Sequence, residues 1–147
     1  MADPKELTRQ GIEFFNQGKL DEWIKAVAED AELVTPLGGT IKGRDAIKAY
    51  FMRTREGFPD ARVHVQRLIA EGNVVVVEYT FSGTNKGPTY LSTGETVPAT
   101  NKTLNSPALD IGTYDSKGQL KSLHQYFDVA GALQQLGLMP APAAARS

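Results

Sequence analysis

The chain has no cysteine, so it can form no disulfide, no thiolate nucleophile and no Cys-ligated zinc or iron–sulfur centre. It has only two histidines, His64 and His124, far apart in sequence, and no H-E-x-x-H or other local His-pair spacing. No metal site is expected. It has no excess of either charge sign, with 16 Lys+Arg against 17 Asp+Glu, so no global field draws it to nucleic acid or to an anionic membrane surface. No apolar run approaches the 18 or so residues of a membrane span, and Met1-Ala2-Asp3-Pro4-Lys5 lacks the apolar segment of a secretory signal. A cytoplasmic location is the expectation, with neither nucleic acid nor membrane as a partner.

What is present is enough apolar material for one core, 41% of 147 residues, patterned in two halves. In the first half, Leu7, Ile12, Phe14 and Phe15 recur at helical spacing and stop at Gly18. Leu20 to Ile24 opens a second helix, with Asp21 as its N-cap and Trp23 and Val27 on its buried stripe. Ala31–Pro36 reads as extended, and Leu37–Ile41 as a turn into a short return strand. Gly43-Arg44-Asp45 introduces a third helix ending near Gly57.

The second half reads as strands. Val63–Ile69 and Val74–Ser82 make one hairpin, and Leu104–Tyr114 and Gln119–Phe127 make another around Asp115–Gly118. Between them, Gly83–Pro98 reads as a long irregular loop. Asp128 caps a short closing helix to Leu136, and residues 139–147 form an Ala/Pro tail expected to be flexible. Early helices and a late meander predict one α+β domain over residues 1–138. The expected architecture is a cone-shaped barrel of a curved, mixed but mostly antiparallel sheet, with three N-terminal helices on its concave face. That arrangement leaves a deep apolar pocket between the layers.

Several segments in this order resemble the SnoaL-like polyketide cyclases, within the larger group similar to nuclear transport factor two and ketosteroid isomerase. They are Gly43-Arg44-Asp45-Ala46-Ile47, Phe58-Pro59-Asp60, Val74 to Thr84, Thr93-Gly94, Asp115-Ser116-Lys117-Gly118 and Phe127-Asp128-Val129. The resemblance runs over roughly residues 5–138 and implies the fold more sharply than the activity. Cyclases of this kind resemble one another in a His-Trp-Asp segment on the last strand, whose Asp serves as acid/base, three residues before a second Asp. Here the run is His124-Gln125-Tyr126-Phe127-Asp128, so Gln125 stands where the resemblance implies the carboxylate. The histidine implied on the neighbouring strand falls near Ile111.

Strand alternation sorts the candidates independently. Leu123, Gln125 and Phe127 share the more apolar face of the last strand and are placed toward the pocket. Val75, Val77, Tyr79 and Phe81 are placed with them, as are Asn105, Leu109, Ile111 and Thr113. Gln125, Tyr79, Asn105, Phe81, Ile111 and Phe127 are therefore the expected pocket-lining and binding residues, and no catalytic residue is assigned. Gln125 can donate to a ligand carbonyl but cannot abstract a proton.

Asp110, flanked by Leu109 and Ile111, would be the best general base in the chain if it faced the pocket, because desolvation would raise its pKa. Parity instead puts it on the outer face with Glu78 and His124, a polar patch suited to a sheet-to-sheet homodimer. Glu95 and Asp30 are further acids that alternation does not place. Two functions follow. One is a cofactor-independent enzyme of cyclase or isomerase type acting on a small apolar carbonyl compound. The other is a ligand-binding or dimeric interaction domain, for small apolar or polycyclic ligands, that has lost the acid/base pair.

Overall fold

A computed structural model describes residues 2–91 and 93–140; most of the Ala/Pro tail lies outside them. Helix α1 spans Pro4–Asn16, with the Asp3 side chain capping its start by accepting from the Lys5 N–H. Helix α2, Leu20–Trp23, is a single turn followed by a 3-10 turn, Ile24–Ala26. Strand β1 is Val27–Thr35, β2 Gly39–Lys42, helix α3 Arg44–Gly57, β3 Arg62–Glu71 and β4 Val74–Thr84. A short hairpin, β5 Thr89–Tyr90 with β6 Thr96–Val97, precedes β7 Thr103–Tyr114, β8 Leu120–Phe127 and helix α4 Val129–Gln135.

The main sheet has the order β2-β1-β8-β7-β4-β3, with β1 and β8 parallel and every other neighbour antiparallel. It curls without closing: β2 and β3 remain as edges, so the expected cone is an open, curled sheet rather than a barrel. Helices α1 and α3 pack on its concave side, and α4 packs on β7.

Two local expectations need correcting. The second helix does not carry Val27 on a helical stripe. Val27 begins β1 opposite Leu120 and is fully buried there, because a β-branched residue at that point gains more as part of the parallel pair than as a third helical turn. Asp21 is not the N-cap, which falls at Lys19; its carboxylate instead pairs with Lys48 of α3 at 2.6 Å. The loop 83–98 is also less irregular than its composition suggests. Its first two residues continue β4, and the β5–β6 hairpin folds back against α3.

The loop is ordered by Asn85, which is buried. Its amide donates to the carbonyls of Gly57 and Gly87 and accepts from the N–H and hydroxyl of Thr100. One side chain thus ties the end of α3 to both stems of the hairpin, satisfying polar groups that burial would otherwise make expensive.

The core runs along the concave face through Leu33, Val27, Val75 and Val77, with Phe51 of α3 at its centre. Trp23, Tyr50 and Phe15 each meet the Phe51 ring edge-on, at centroid distances of 5.0, 5.3 and 6.4 Å. At the C-terminal end, Leu104, Ala132 and Leu136 form a second cluster against Phe58 and Phe81. Asp128 caps α4 as expected, accepting from the Gly131 N–H at 2.9 Å. Asp128→Ala is expected to cost about 1 kcal/mol in urea unfolding and to leave ligand affinity unchanged. A changed affinity at unchanged stability would give Asp128 a role beyond the cap.

Candidate active site

Between the concave face of the sheet and helices α1 and α3 lies a cavity of about 1120 Å³, rimmed by the β5–β6 hairpin and α4. Its walls are aromatic and aliphatic, which is what an apolar ligand requires. On its floor the sheet places one carboxylate. Cross-strand pairing sets Val77, Asp110 and Gln125 in one row over β4, β7 and β8, all pointing into the cavity. Tyr79 is the diagonal neighbour, opposite Ala108.

The Tyr79 hydroxyl donates to Asp110 Oδ1 at 2.8 Å, and the Gln125 amide donates to Oδ2 at 3.3 Å. Each carboxylate oxygen therefore has one donor, and the group is held in a fixed plane with lone pairs left toward the cavity. Protein surrounds Asp110 closely, although the cavity leaves part of it accessible. This desolvation pushes its pKa up to about 6, against the opposing pull of the bonds from Tyr79 and Gln125. Burial, and then the charge of Asp110, push the Tyr79 hydroxyl above its ordinary range, so it remains a proton donor.

A second hydroxyl faces the same space from the helical side. Tyr50 of α3 lines the cavity and shares a 3.1 Å hydrogen bond with Thr35 of β1. Burial raises its pKa, the Thr35 bond lowers it, and the charge of Asp110 raises it. Toward α1, Tyr114 and Thr8 make a similar pair at 2.9 Å. Among the described residues, no group of three or more His, Asp or Glu side chains comes together to hold a metal.

Of the six residues expected to line the pocket, Gln125, Tyr79, Phe81 and Phe127 do so. Asn105 and Ile111 do not. Asn105 is exposed, its backbone clasped by the Gln135 amide of α4, while Ile111 lies on the outer face between Val76 and His124. Leu109 and Thr113 go outward with Ile111, and Asp110 comes inward, reversing the expected assignment of the whole strand.

The cause is the pairing with β4, whose unbroken register brings Gly112, Asp110 and Ala108 inward beside Val75, Val77 and Tyr79. A β-bulge acts on β8 instead: Tyr114 pairs with Leu120 but Thr113 pairs with Ser122, so the extra residue Lys121 turns Leu123, Gln125 and Phe127 inward after Leu120. Pro107 causes no shift; it sits in continuous register opposite Thr80. Glu78 is on the outer face, 3.7 Å from Arg67, and His124 shares that face. Glu95 and Asp30 are exposed and take no part in the cavity wall.

No curated protein matches this sequence. Solved structures do. A candidate SnoaL-like polyketide cyclase from Jannaschia sp. CCS1 superposes with a TM-score of 0.77 at 19% identity, covering 95% of this chain and 98% of its own. IdmH from Streptomyces antibioticus, a candidate polyketide cyclase, gives 0.76 at 24% identity over 92% and 99%. A protein of ketosteroid isomerase-like fold from Catenulispora acidiphila gives 0.74 at 18% identity over 93% and 98%. At these identities the likeness establishes the fold. The sequence itself matches the model of the SnoaL-like domain over residues 8–121, most of the chain, and the protein belongs to that family.

Proposed function

We propose that this protein is a cofactor-independent acid–base catalyst of cyclase or isomerase type acting on a small, largely apolar carbonyl compound, with Asp110 as the base. The observation that carries this reading is the single carboxylate on the floor of an apolar cavity, held by Tyr79 and Gln125 and poised near neutral pH. Gln125, in the position where the resemblance implies the acid, serves here as a donor that orients the base across the strand pair. The acid/base function has moved one strand over.

Asp110 would break a C–H bond next to the carbonyl and take the proton. The electron pair passes to the carbonyl oxygen, and the enolate either recovers the proton at another carbon or attacks a second carbonyl. Tyr79 is committed to Asp110, so the hydroxyl available for the developing oxyanion is that of Tyr50. With Thr35 donating to Tyr50, the phenolic proton is free to point into the cavity.

The test is deuterium uptake. A panel of bicyclic and tricyclic ketones incubated with the protein in D2O should include members that exchange their α-hydrogens, monitored by NMR, and Asp110→Asn should abolish the exchange. Tight binding with no exchange in any member would favour a binding protein instead.

The outer face of the sheet supports a homodimer. With Asp110 turned inward, this face is more apolar than expected. Ile69, Val76, Ile111 and His124 form one cross-strand row, and Ile69 and Tyr126 each leave 52% of their surface exposed. Sedimentation should find a dimer that Ile111→Glu converts to a folded monomer; a monomeric wild-type protein would refute this. Among the described residues, no helix is long and apolar enough to cross a membrane.

A further inference from the structure

The cavity has only two charged side chains in its wall among the described residues, Asp110 on the floor and Arg53 near the rim. Helix α3 presents Ala46, Ala49, Tyr50 and Arg53 to the cavity at helical spacing. Tyr50 reaches inward beside the floor. Arg53 lies almost one turn further on, about 4.5 Å along the axis, where α3 meets the β5–β6 hairpin.

Its guanidinium lies 4.9 Å from the centre of the Tyr90 ring, and the Tyr90 hydroxyl donates to Glu56 at 3.1 Å. The ring is thus fastened to α3, and the stacking fixes where the cation sits. The ion pairs among the described residues are Arg9 with Glu6, Lys25 with Glu22, Lys48 with Asp21 and Arg67 with Glu78. Arg53 is in none of them, and its planar fork of donors is left for an acceptor from outside the chain.

Resting on the reading of the cavity as a site for apolar carbonyl compounds, we infer that Arg53 selects substrates carrying a carboxylate, bound at the rim while the carbonyl lies on the floor. Two charges of opposite sign at the two ends of an apolar chamber give a ligand a direction. An ionised Asp110 repels a ligand carboxylate from the floor, and Arg53 attracts it to the rim. An apolar ketone without an anionic group could enter either way round, whereas an acid would present its carbonyl to Asp110 in one orientation. The substrate class is therefore a keto acid with an apolar body, the free acid rather than its ester.

The matched probes are anthraquinone-2-carboxylate and its methyl ester, titrated calorimetrically at pH 8 and low salt into the wild-type protein and Arg53→Met. Wild type is expected to prefer the carboxylate by about tenfold, as for one charge-assisted contact at low salt. Added salt should shrink the preference. Arg53→Met should bind the ester with unchanged affinity and lose the preference for the acid, with an unaltered melting temperature showing an intact fold.

Equal affinities in wild type, or a preference that survives in Arg53→Met, would overturn the inference. If that occurs while ketones still exchange deuterium, the proposed catalysis stands and only the role of Arg53 falls. If neither probe binds and no ketone exchanges, both fall together.

Discussion

Asp110→Asn is expected to abolish proton transfer and, at the same time, to make the protein more stable at pH 8. The loss of activity follows from chemistry: an amide cannot accept a proton from carbon, and removing a positioned general base lowers a rate by typically about 10²–10⁴-fold. The gain in stability follows from linkage. Asp110 titrates at about 6 in the folded protein, against about 3.9 in an unfolded chain. Between those values the folded state binds more protons at Asp110 than the unfolded state, so the contribution of this group to stability is fully present below about pH 4 and is lost as pH rises to about 6.

Above that window, the ionised carboxylate costs the folded protein on the order of 2–3 kcal/mol, from a shift of about two pH units at 1.36 kcal/mol each. Asparagine removes this cost without losing the hydrogen bonds. Its oxygen accepts from Tyr79, and an amide flip of Gln125 turns a carbonyl toward the new NH2 group. Melting temperatures compared across pH should therefore converge near pH 4 and separate by several degrees at pH 8, the variant higher. A variant less stable than wild type at pH 8 would mean that Asp110 is not ionised at a cost, and the case for a poised base would go with it.

That the base sits at position 110 illustrates what can and cannot be read from such a sequence. The helix of residues 4–16, the helix after Gly43, both long hairpins and the Asp128 cap were all legible, because each rests on local signals: periodicity, glycine stops and a short polar cap. The inward faces of β4 and β8 were legible as well, since Val77, Tyr79 and Leu123 contrast with Glu78, Thr80, Ser122 and His124. Strand β7 offers no such contrast. Leu109 and Ile111 make its odd face the more apolar one, yet that face is turned away from the cavity.

Its orientation is set instead by its unbroken pairing with β4, which places Asp110 opposite the inward Val77. The bulge at Lys121 acts on β8: continued without it from the inward Tyr114–Leu120 pair, the register would set Asp110 opposite His124 and turn Gln125 outward opposite Leu109. One extra residue thus decides whether Gln125 or His124 stands beside the carboxylate, and no residue preference announces it. The signal available in advance was energetic: a carboxylate between two large apolar residues must either find partners or perform a function. Tyr50 and Arg53 were invisible for a different reason. They belong to a helix whose cavity face is shared with its core face, and only the packing of Phe51 shows which turn looks into open space.

Gln125→Asp would convert the lone base into a facing pair, and its expected result is a split titration. Residues 110 and 125 are direct cross-strand partners, and the Gln125 amide already reaches Asp110 Oδ2. A carboxyl introduced there can replace the amide only when protonated, donating its O–H to the Asp110 carboxylate. The singly protonated pair is thus the favoured state, and both carboxylates ionise together only against their mutual repulsion. Wild type should show one ionisation near 6; the variant should show two, belonging to the pair and straddling that value, separated by about 2 or more pH units. Carbon-13 NMR of the aspartate carboxyls would resolve both steps. Deuterium exchange should then rise with pH in two steps, following the two ionisations of the pair, where the wild-type rate rises in one. The same second ionisation should lower the variant's melting temperature above neutral pH. Two independent titrations, each at an ordinary carboxylate value, would show that the two side chains do not share the floor of the cavity.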